Sequence, residues 1–417
     1  MSPAHSGEWG LAMSSTLSEV FAEPGLGPES LAMVEAVHRF ARDEMRPVGQ
    51  QLDKLADPAG VIAPDSPLWK LFDRFRQLGI GEAGDVDDGT DPIERALLTS
   101  RINEEMGWGD AGLAVSLGVS RFHLFFANLT GNAELIERYG AAGATDIGCW
   151  AVTEPDHGSD TLAFTEPAWT RSELTANCIA RRDGDDFLIK GSKAAWVSNG
   201  TIANVAALFC TIDGDQGFSG GGVCVVPLDL PGVSRGKPLD KLGQRALPQG
   251  EIHFDDVRVP ASYMVIGKEL YGMTIEMVLA MANSYMGSTF SGVARSAYEL
   301  ALDYAKTRIQ GGRPIIEHPA VRSRLFKMFA KVEAARSLAR RVHVLGAGQV
   351  PPVQYSMASK IFATTTAFEV ASEALQIFGG NGLTKEYPIE KILRDARASM
   401  IEDGCNEILS IVGGARL

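Results

Sequence analysis

A chain of 417 residues, 45% apolar and 22% charged, is too long for one small core and reads as an ordinary globular protein of two or three packed units. Its net charge of -13 argues against a nucleic-acid binder, which needs a basic face to neutralise phosphate, but leaves room for a local basic pocket that holds an anionic cofactor. Five scattered cysteines (Cys149, Cys178, Cys210, Cys224 and Cys405), without a CxxC spacing, speak against a disulfide scaffold or a metal site and for a reducing, cytoplasmic setting.

Residues 1–27, rich in Ser, Gly, Pro and Ala, read as a flexible tail. The first Lys or Arg is Arg39, so no signal or transit peptide is expected. Over residues 28–146, apolar residues recur at helical spacing in "SLAMVEAVHRFARDEM", "LWKLFDRFRQLGI", "ERALLTSRINEEMGW" and "AELIERYGAAG", which predicts an N-terminal helical domain. Composition then shifts. "IGCWAVTE", "DFLIKGSKAAWVSNG", "NVAALFCTI", "GGVCVVPLDL" and "EIHFDDVRVP" are short β-rich runs between turn residues, and they predict a β domain over 147–262. Within it "DGDQGFSGGG", 213–222, lacks a pattern and is expected to be a flexible hairpin loop. Long helical stretches return over 263–417, joined by short Gly/Pro connections, as in an antiparallel bundle. No uncharged apolar run reaches about 18 residues, so no membrane span is predicted.

Three stretches could carry chemistry. "CWAVTEPDHGSDTLAF", 149–164, ends a β run in a polar turn whose side chains and free N–H groups could hold a ring edge and a phosphate, or could be an ordinary surface turn. In "KGSKAAWVSNGT", 190–201, Trp196 could stack on a planar cofactor while Ser198 bonds its edge, although a lone Trp is more often buried in a core. "QIFGGNGLTKEYP", 376–388, follows an apolar helix; its glycines could cap that helix or admit a ligand close to the backbone.

Taken together and in this order, these stretches resemble the acyl-CoA dehydrogenase family of flavoproteins. "AVTEPDHGSD" resembles its first signature and "QIFGGNGLTKEYPIEKILRDAR" its second; "LGQRALPQGEIHFDDVRVP" and "YAKTRIQGGRPIIEHPAVRSRLFKM" also look like family segments. The resemblance runs from about residue 28 to 414. It implies a mainly α fold with an N-terminal helical domain, a central β-barrel or sandwich domain and a C-terminal four-helix bundle. FAD is then held between the β domain and the bundle, usually in a homotetramer.

Carried over by position, the resemblance puts Trp150, Val152 and Thr153 along the flavin ring and Gly158 and Ser159 toward its ribityl-phosphate side. Trp196 and Ser198 take the positions that stack on the ring and bond near its reactive nitrogen. Arg308 and Gln310 fall where a neighbouring subunit's FAD pyrophosphate is held, a fitting place for a guanidinium, and Gln376, Gly379 and Gly380 fall at its adenine end. The family's general base lies eight residues after the Asp of the "RDA" motif; counted from Asp395 that is Asp403, one methylene shorter than the usual Glu. Glu402 is expected to point elsewhere. Cys405 stands for a Thr that packs on FAD, and Glu407 sits where relatives often carry Glu or Gln near the cofactor.

Such chemistry needs a carboxylate because a C–H beside a thioester is a weak acid. Hydrogen bonds to the thioester oxygen stabilise the developing enolate, and partial burial raises the carboxylate pKa toward neutrality. An Asp sits roughly 1.5 Å further back than Glu on an unchanged backbone, and a misplacement near 1 Å can cost about a hundredfold in rate. Some branches with Asp here act on cyclic acyl-CoAs, and the related nitroalkane oxidases also use Asp. Asn283 stands where relatives commonly carry an Arg near the acyl-CoA, Gly311 replaces a Phe, and Asp156 and His157 replace small residues. The expected activity is FAD-dependent dehydrogenation of an acyl-CoA or other acyl thioester, with electrons passed to an electron-transferring flavoprotein. The alternatives are a flavin oxidase or monooxygenase acting on a nitroalkane or other small molecule, and a non-catalytic relative kept for binding.

Overall fold

The structure, a computed structural model, describes residues 25–80, 89–140 and 145–417, so all but the last three residues of the expected tail lie outside it. Helix α1 (Pro28–Phe40) buries Val34, Val37 and Phe40 on one stripe and continues through a π-turn (Ala41–Met45) into α2 (Arg46–Asp53). Two later helices open on a capping residue followed by proline. Ser66 caps α3 (Pro67–Gln77) and Asp91 caps α4 (Pro92–Gly109), each accepting from backbone N–H groups that the first turn leaves unpaired. Asp110 and Asn132 do the same for α5 (Ala111–Val119) and α7 (Ala133–Tyr139), with α6 (Phe122–Thr130) between them. Residues 111–130 are long and apolar enough to cross a membrane by length and composition alone. They form two helices broken at Ser120 and Arg121, and most of the stretch is packed inside the protein.

Eight strands follow: β1 (Gly148–Ala151), β2 (Ile179–Asp183), β3 (Asp186–Lys193), β4 (Val205–Ile212), β5 (Gly221–Pro227), β6 (Val233–Arg235), β7 (Ile252–Pro260) and β8 (Met264–Ile266). They join in one sheet of order β6-β7-β3-β2-β4-β5-β8, with β1 parallel to β4 in the register Trp150 to Ala207. Every residue of β4 and β5 is buried, as continuous apolar runs require. Phe126 of α6 meets Phe209 of β4 edge-on, which locks the helical domain to the sheet. The expected loop at 213–222 proves to be mostly built structure. Residues 217–220 form a 3-10 turn that buries Phe218 against the His157 ring, and Gly221 and Gly222 already belong to β5. One aromatic side chain with core to cover outweighs the loop-like composition around it.

The last third is a bundle of three long helices, α8 (Lys268–Thr307), α9 (Pro319–Leu345) and α10 (Val353–Phe378), with shorter α11 (Ile389–Ser399) and α12 (Asn406–Gly414) laid on α10. A small hairpin, β9 (Ile309–Gln310) with β10 (Arg313–Pro314), joins α8 to α9. Its turn residues Gly311 and Gly312 have φ of +63° and +79°, which explains glycine in place of a bulky residue at 311. All five cysteines are unpaired thiols.

Candidate active site

The acidic loop between α11 and α12 is held from three sides. Asp395, on the last turns of α11, accepts from the Gln244 N–H and pairs with Lys391, which also reaches Asp110. Lys360, buried in the middle of α10, donates to the Gly404 carbonyl at 2.8 Å and to Asn406 Oδ1 at 2.9 Å. The Cys405 N–H donates to Ser159 Oγ at 3.0 Å, which ties the loop to the turn after β1. These anchors hold Asp403 at φ +52° and Gly404 at +86°. A non-glycine residue in that region is uncommon and costs free energy, and such strain collects at functional sites.

Among the described residues, the Asp403 carboxylate makes no hydrogen bond or ion pair, and none accepts from its backbone N–H. Burial pushes its carboxyl up to about 6, against the pull of the Lys360 ammonium. Glu402 does not turn away as expected. It is partly buried beside Asp403, where Gln244 Nε2 donates to its Oε1 at 2.6 Å. Burial, then repulsion from Asp403, pushes its carboxyl up. Two carboxylates thus share this loop, one hydrogen-bonded and one without a partner. Burial also pulls the Lys241 ammonium on the other side of Gln244 down to about 7.

The flavin-facing positions expected from sequence sit at neighbouring strand ends. Val152 and Thr153 are half-buried just past β1, and the Thr153 carbonyl accepts from the Ala194 N–H at the end of β3. Lys193 and Glu154 form a buried ion pair behind them, and Lys193 Nζ also holds the Val152 carbonyl at 3.0 Å. Trp150 packs among Phe122 and Phe209 with its indole N–H buried and unpartnered. Trp196 is not the core tryptophan that base expectation favours; it is 57% exposed. Gln249 Nε2 donates to the Trp196 carbonyl at 3.1 Å and to the Ser198 hydroxyl at 3.4 Å, so one side chain holds the backbone at 196 and the hydroxyl at 198. An exposed indole close to a strand end offers a face on which a planar heteroaromatic ring can stack. We expect Trp196→Ala to leave the fold intact and to lower flavin content severalfold, read from the ratio of visible to protein absorbance after purification.

A second set of positions meets at the far end of the bundle. Gln310 and Gln376 line one cavity of about 530 Å³, together with His318 and Arg324. Gly379 caps α10 at φ +61°, and a Cβ on either Gly379 or Gly380 would meet nothing within 4 Å. Gly379 is thus a helix stop, and the backbone of the pair is open on its outer side. Arg308 is exposed and makes no ion pair among the described residues. Gly158 is open as well, its N–H donating to Asp160, and Asp160 also takes the His157 ring, which leaves His157 a structural part of the turn.

Two of the expected positions stand apart. Asn283 is fully buried, donates back to the Leu279 carbonyl at 2.8 Å and lines neither large cavity; its Oδ1 has no partner. Glu407 is exposed on the first turn of α12. Sequence reading missed Gln244, Lys360 and Tyr285. Only Lys360 left a trace, as a lone cation in the apolar run "SKIFATTTAFEV".

Over residues 149–257 the chain matches the family described as acyl-CoA dehydrogenase, middle domain, and over 275–417 acyl-CoA dehydrogenase, C-terminal domain. It is 32% identical over 392 residues to the human short-chain specific acyl-CoA dehydrogenase, mitochondrial, covering 92% of this chain and 89% of that one. It is 32% identical over 330 residues to the cyclohex-1-ene-1-carbonyl-CoA dehydrogenase of Geobacter metallireducens, covering 78% and 83%. The butyryl-CoA dehydrogenase structure from Megasphaera elsdenii superposes with a TM-score of 0.77 at 27% identity, covering 94% of this chain and 99% of that one. The chain belongs to the acyl-CoA dehydrogenase family and is a flavin oxidoreductase of that type.

Proposed function

We propose that the protein uses FAD to convert an acyl-CoA into its 2,3-enoyl thioester, with Asp403 as the base that removes the α-proton. One observation carries this reading. Residue 403 offers a partnerless carboxylate, raised to about 6, and a free backbone N–H on the same strained turn. The carboxylate can take a proton from carbon while the N–H donates to the thioester oxygen that gains charge as the proton leaves. Both groups come from one residue, so only its two side-chain torsions set their spacing, and Lys360 and Ser159 fix the turn that carries them.

The residues at the strand ends suit FAD: an exposed indole, a hydroxyl near it, and Gly158, where a Cβ would meet nothing within 4 Å. Bound FAD supplies the two-electron acceptor for the hydrogen that leaves the β-carbon. Trp196 and Ser198 would hold the ring of this chain's own FAD, while Arg308, Gln310 and Gln376 at the far end of the bundle would hold the pyrophosphate and adenine end of a neighbouring subunit's FAD. Exposed Met273 and Phe326 on the bundle helices suit a homotetramer. The reading includes a cytoplasmic setting, which the unpaired thiols suit, and an electron-transferring flavoprotein as acceptor.

The relatives are named for short-chain, cyclohexane-carbonyl and glutaryl thioesters, so they do not converge on one acyl group. The test is anaerobic bleaching of the purified flavoprotein by a panel of acyl-CoAs. At least one member is expected to remove the visible absorbance and yield an enoyl-CoA. Bleaching by a nitroalkane and by no thioester would overturn the reading in favour of an oxidase.

A further inference from the structure

We propose that the cavity beside the base loop is built for an acyl group whose far end is a carboxylate, with Arg121 as the group that recognises it. The inference rests on the acyl thioester reading above and specifies the acyl group.

The cavity holds about 490 Å³ between α3, α4, α5, α6 and α8. Tyr285 of α8 lines it, as do Leu117 and Gly118 of α5. The same α5 packs at Gly112 against the backbone of Gln244, where a Cβ would lie 3.2 Å from the Gln244 Cα, and the Gln244 amide holds Glu402 beside the base. Burial, then the charges of Asp403 and Glu402, push the Tyr285 phenol up, in keeping with that proximity. The Tyr285 hydroxyl is already engaged, donating to the Ala114 carbonyl at 2.7 Å. Gly118 makes room for it, since a Cβ there would lie 2.7 Å from that oxygen. Most of the lining is apolar, as an acyl chain requires: Phe75, Ile102, Met106, Leu117 and Phe125 among others.

Arg121 breaks that pattern. It lies between α5 and α6, lines the cavity and is half-buried, and its side chain makes no hydrogen bond or ion pair among the described residues. No described acidic residue lines the cavity. Besides Tyr285, whose hydroxyl is engaged, Asn103 and Asn128 are the other polar side chains of the lining, and both bring amide donors. A half-buried guanidinium among largely apolar lining residues gives up part of its hydration, at a cost to the empty protein. A carboxylate entering on an acyl chain would remove that cost through two parallel N–H···O bonds, the geometry for which guanidinium is best suited. A plain alkyl tail would instead cover the charge and raise the cost. The arrangement thus selects for a dicarboxylic acid bound as its mono-thioester and against the alkyl thioester of the same length.

The experiment uses the FAD-loaded enzyme and matched CoA thioesters: ω-carboxyl, its methyl ester, and plain alkyl, over several chain lengths. At its best length the wild type is expected to prefer the carboxyl form by roughly 10- to 100-fold in kcat/KM, the range of a charged hydrogen-bond pair. Arg121→Met is expected to collapse that ratio to near one, and Arg121→Lys to restore part of it, with FAD content confirming that both variants fold. A wild type that turns over alkyl thioesters and shows no preference for the carboxyl form overturns the proposal while leaving the dehydrogenase reading standing. So does an Arg121→Met enzyme in which all three thioesters lose rate equally, because the arginine then serves the CoA moiety or packing. If no thioester of any kind is turned over, the parent reading fails and this one with it.

Discussion

Asp403→Asn is expected to leave a yellow, folded holoenzyme whose reduction by acyl-CoA is slowed by about 10²- to 10⁴-fold, the contribution of a positioned general base. Asparagine suits the test. It matches aspartate in shape, tolerates the left-handed φ of +52°, and keeps the backbone N–H that would polarise the thioester. What it loses is the proton-accepting oxygen. The pH dependence has a defined direction. The reactive form is the carboxylate, and burial holds this carboxyl at about 6. The rate of wild-type flavin reduction should therefore climb through about pH 6 and level above it, while the variant's residual rate should lose that inflection. Stability should move the opposite way. A carboxyl raised in the folded state binds its proton more tightly there than in the unfolded chain. The fold thus loses stability as pH rises from 3.8 toward 6, by something on the order of 1–3 kcal/mol. Asp403→Asn removes that penalty, so its denaturation midpoint should exceed the wild type's at pH 8 and match it near pH 4. Reduction at the wild-type rate, together with loss of rate in Glu402→Gln, would assign the proton to the neighbouring acid instead.

That neighbour illustrates what the sequence could and could not disclose. The order of helices, sheet and bundle is written in periods of apolar residues and in proline and glycine punctuation, all local signals. Pro67 and Pro92 start helices where they stand after Ser and Asp, and Gly379 ends one. The position of Asp403 followed from the family resemblance, counted along one continuous segment from the "RDA" motif. Glu402 was misjudged because its direction depends on Gln244, 158 residues away, whose amide draws it inward. Trp196 stays at the surface because Gln249 of another strand connection pins its carbonyl and Ser198, which no local pattern announces. Arg121 carries no local signal in the sequence. Its meaning comes only from the walls that α3, α4 and α8 bring around it.

The largest effect on stability is expected at Glu104, which nothing in the chemistry uses directly. This carboxylate is buried on α4, bonded to Arg295 of α8, to Arg336 Nε of α9 at 2.9 Å and to Arg101 Nη1 at 3.0 Å. Glu105 beside it completes the charge balance with Arg295, Arg101 and His38. The backbones meet closely here: a Cβ on Gly292 of α8 would lie 1.9 Å from the Glu104 carbonyl oxygen, so glycine is what permits the approach. Removing one partner of such a network leaves guanidinium charge in a dry interior. Glu104→Ala should cost about 3–5 kcal/mol in chemical denaturation, far more than the loss of one hydrogen bond. The guanidinium cluster holds the Glu104 carboxyl well below the usual range despite its burial, and Glu105 down to about 2. Their stabilisation is therefore present above about pH 4.5 and is lost as pH falls toward those low values. The variant should accordingly show a flatter loss of stability between pH 4.5 and 2 than the wild type, and an unchanged midpoint at pH 7 would mean that the network contributes nothing. The consequence should reach substrate as well, since α4 also carries Ile102, Asn103 and Met106 of the acyl cavity. A helix loosened from α8 and α9 moves that wall, so Glu104→Ala enzyme that remains folded should bind acyl-CoA more weakly while Asp403 keeps its inflection near pH 6.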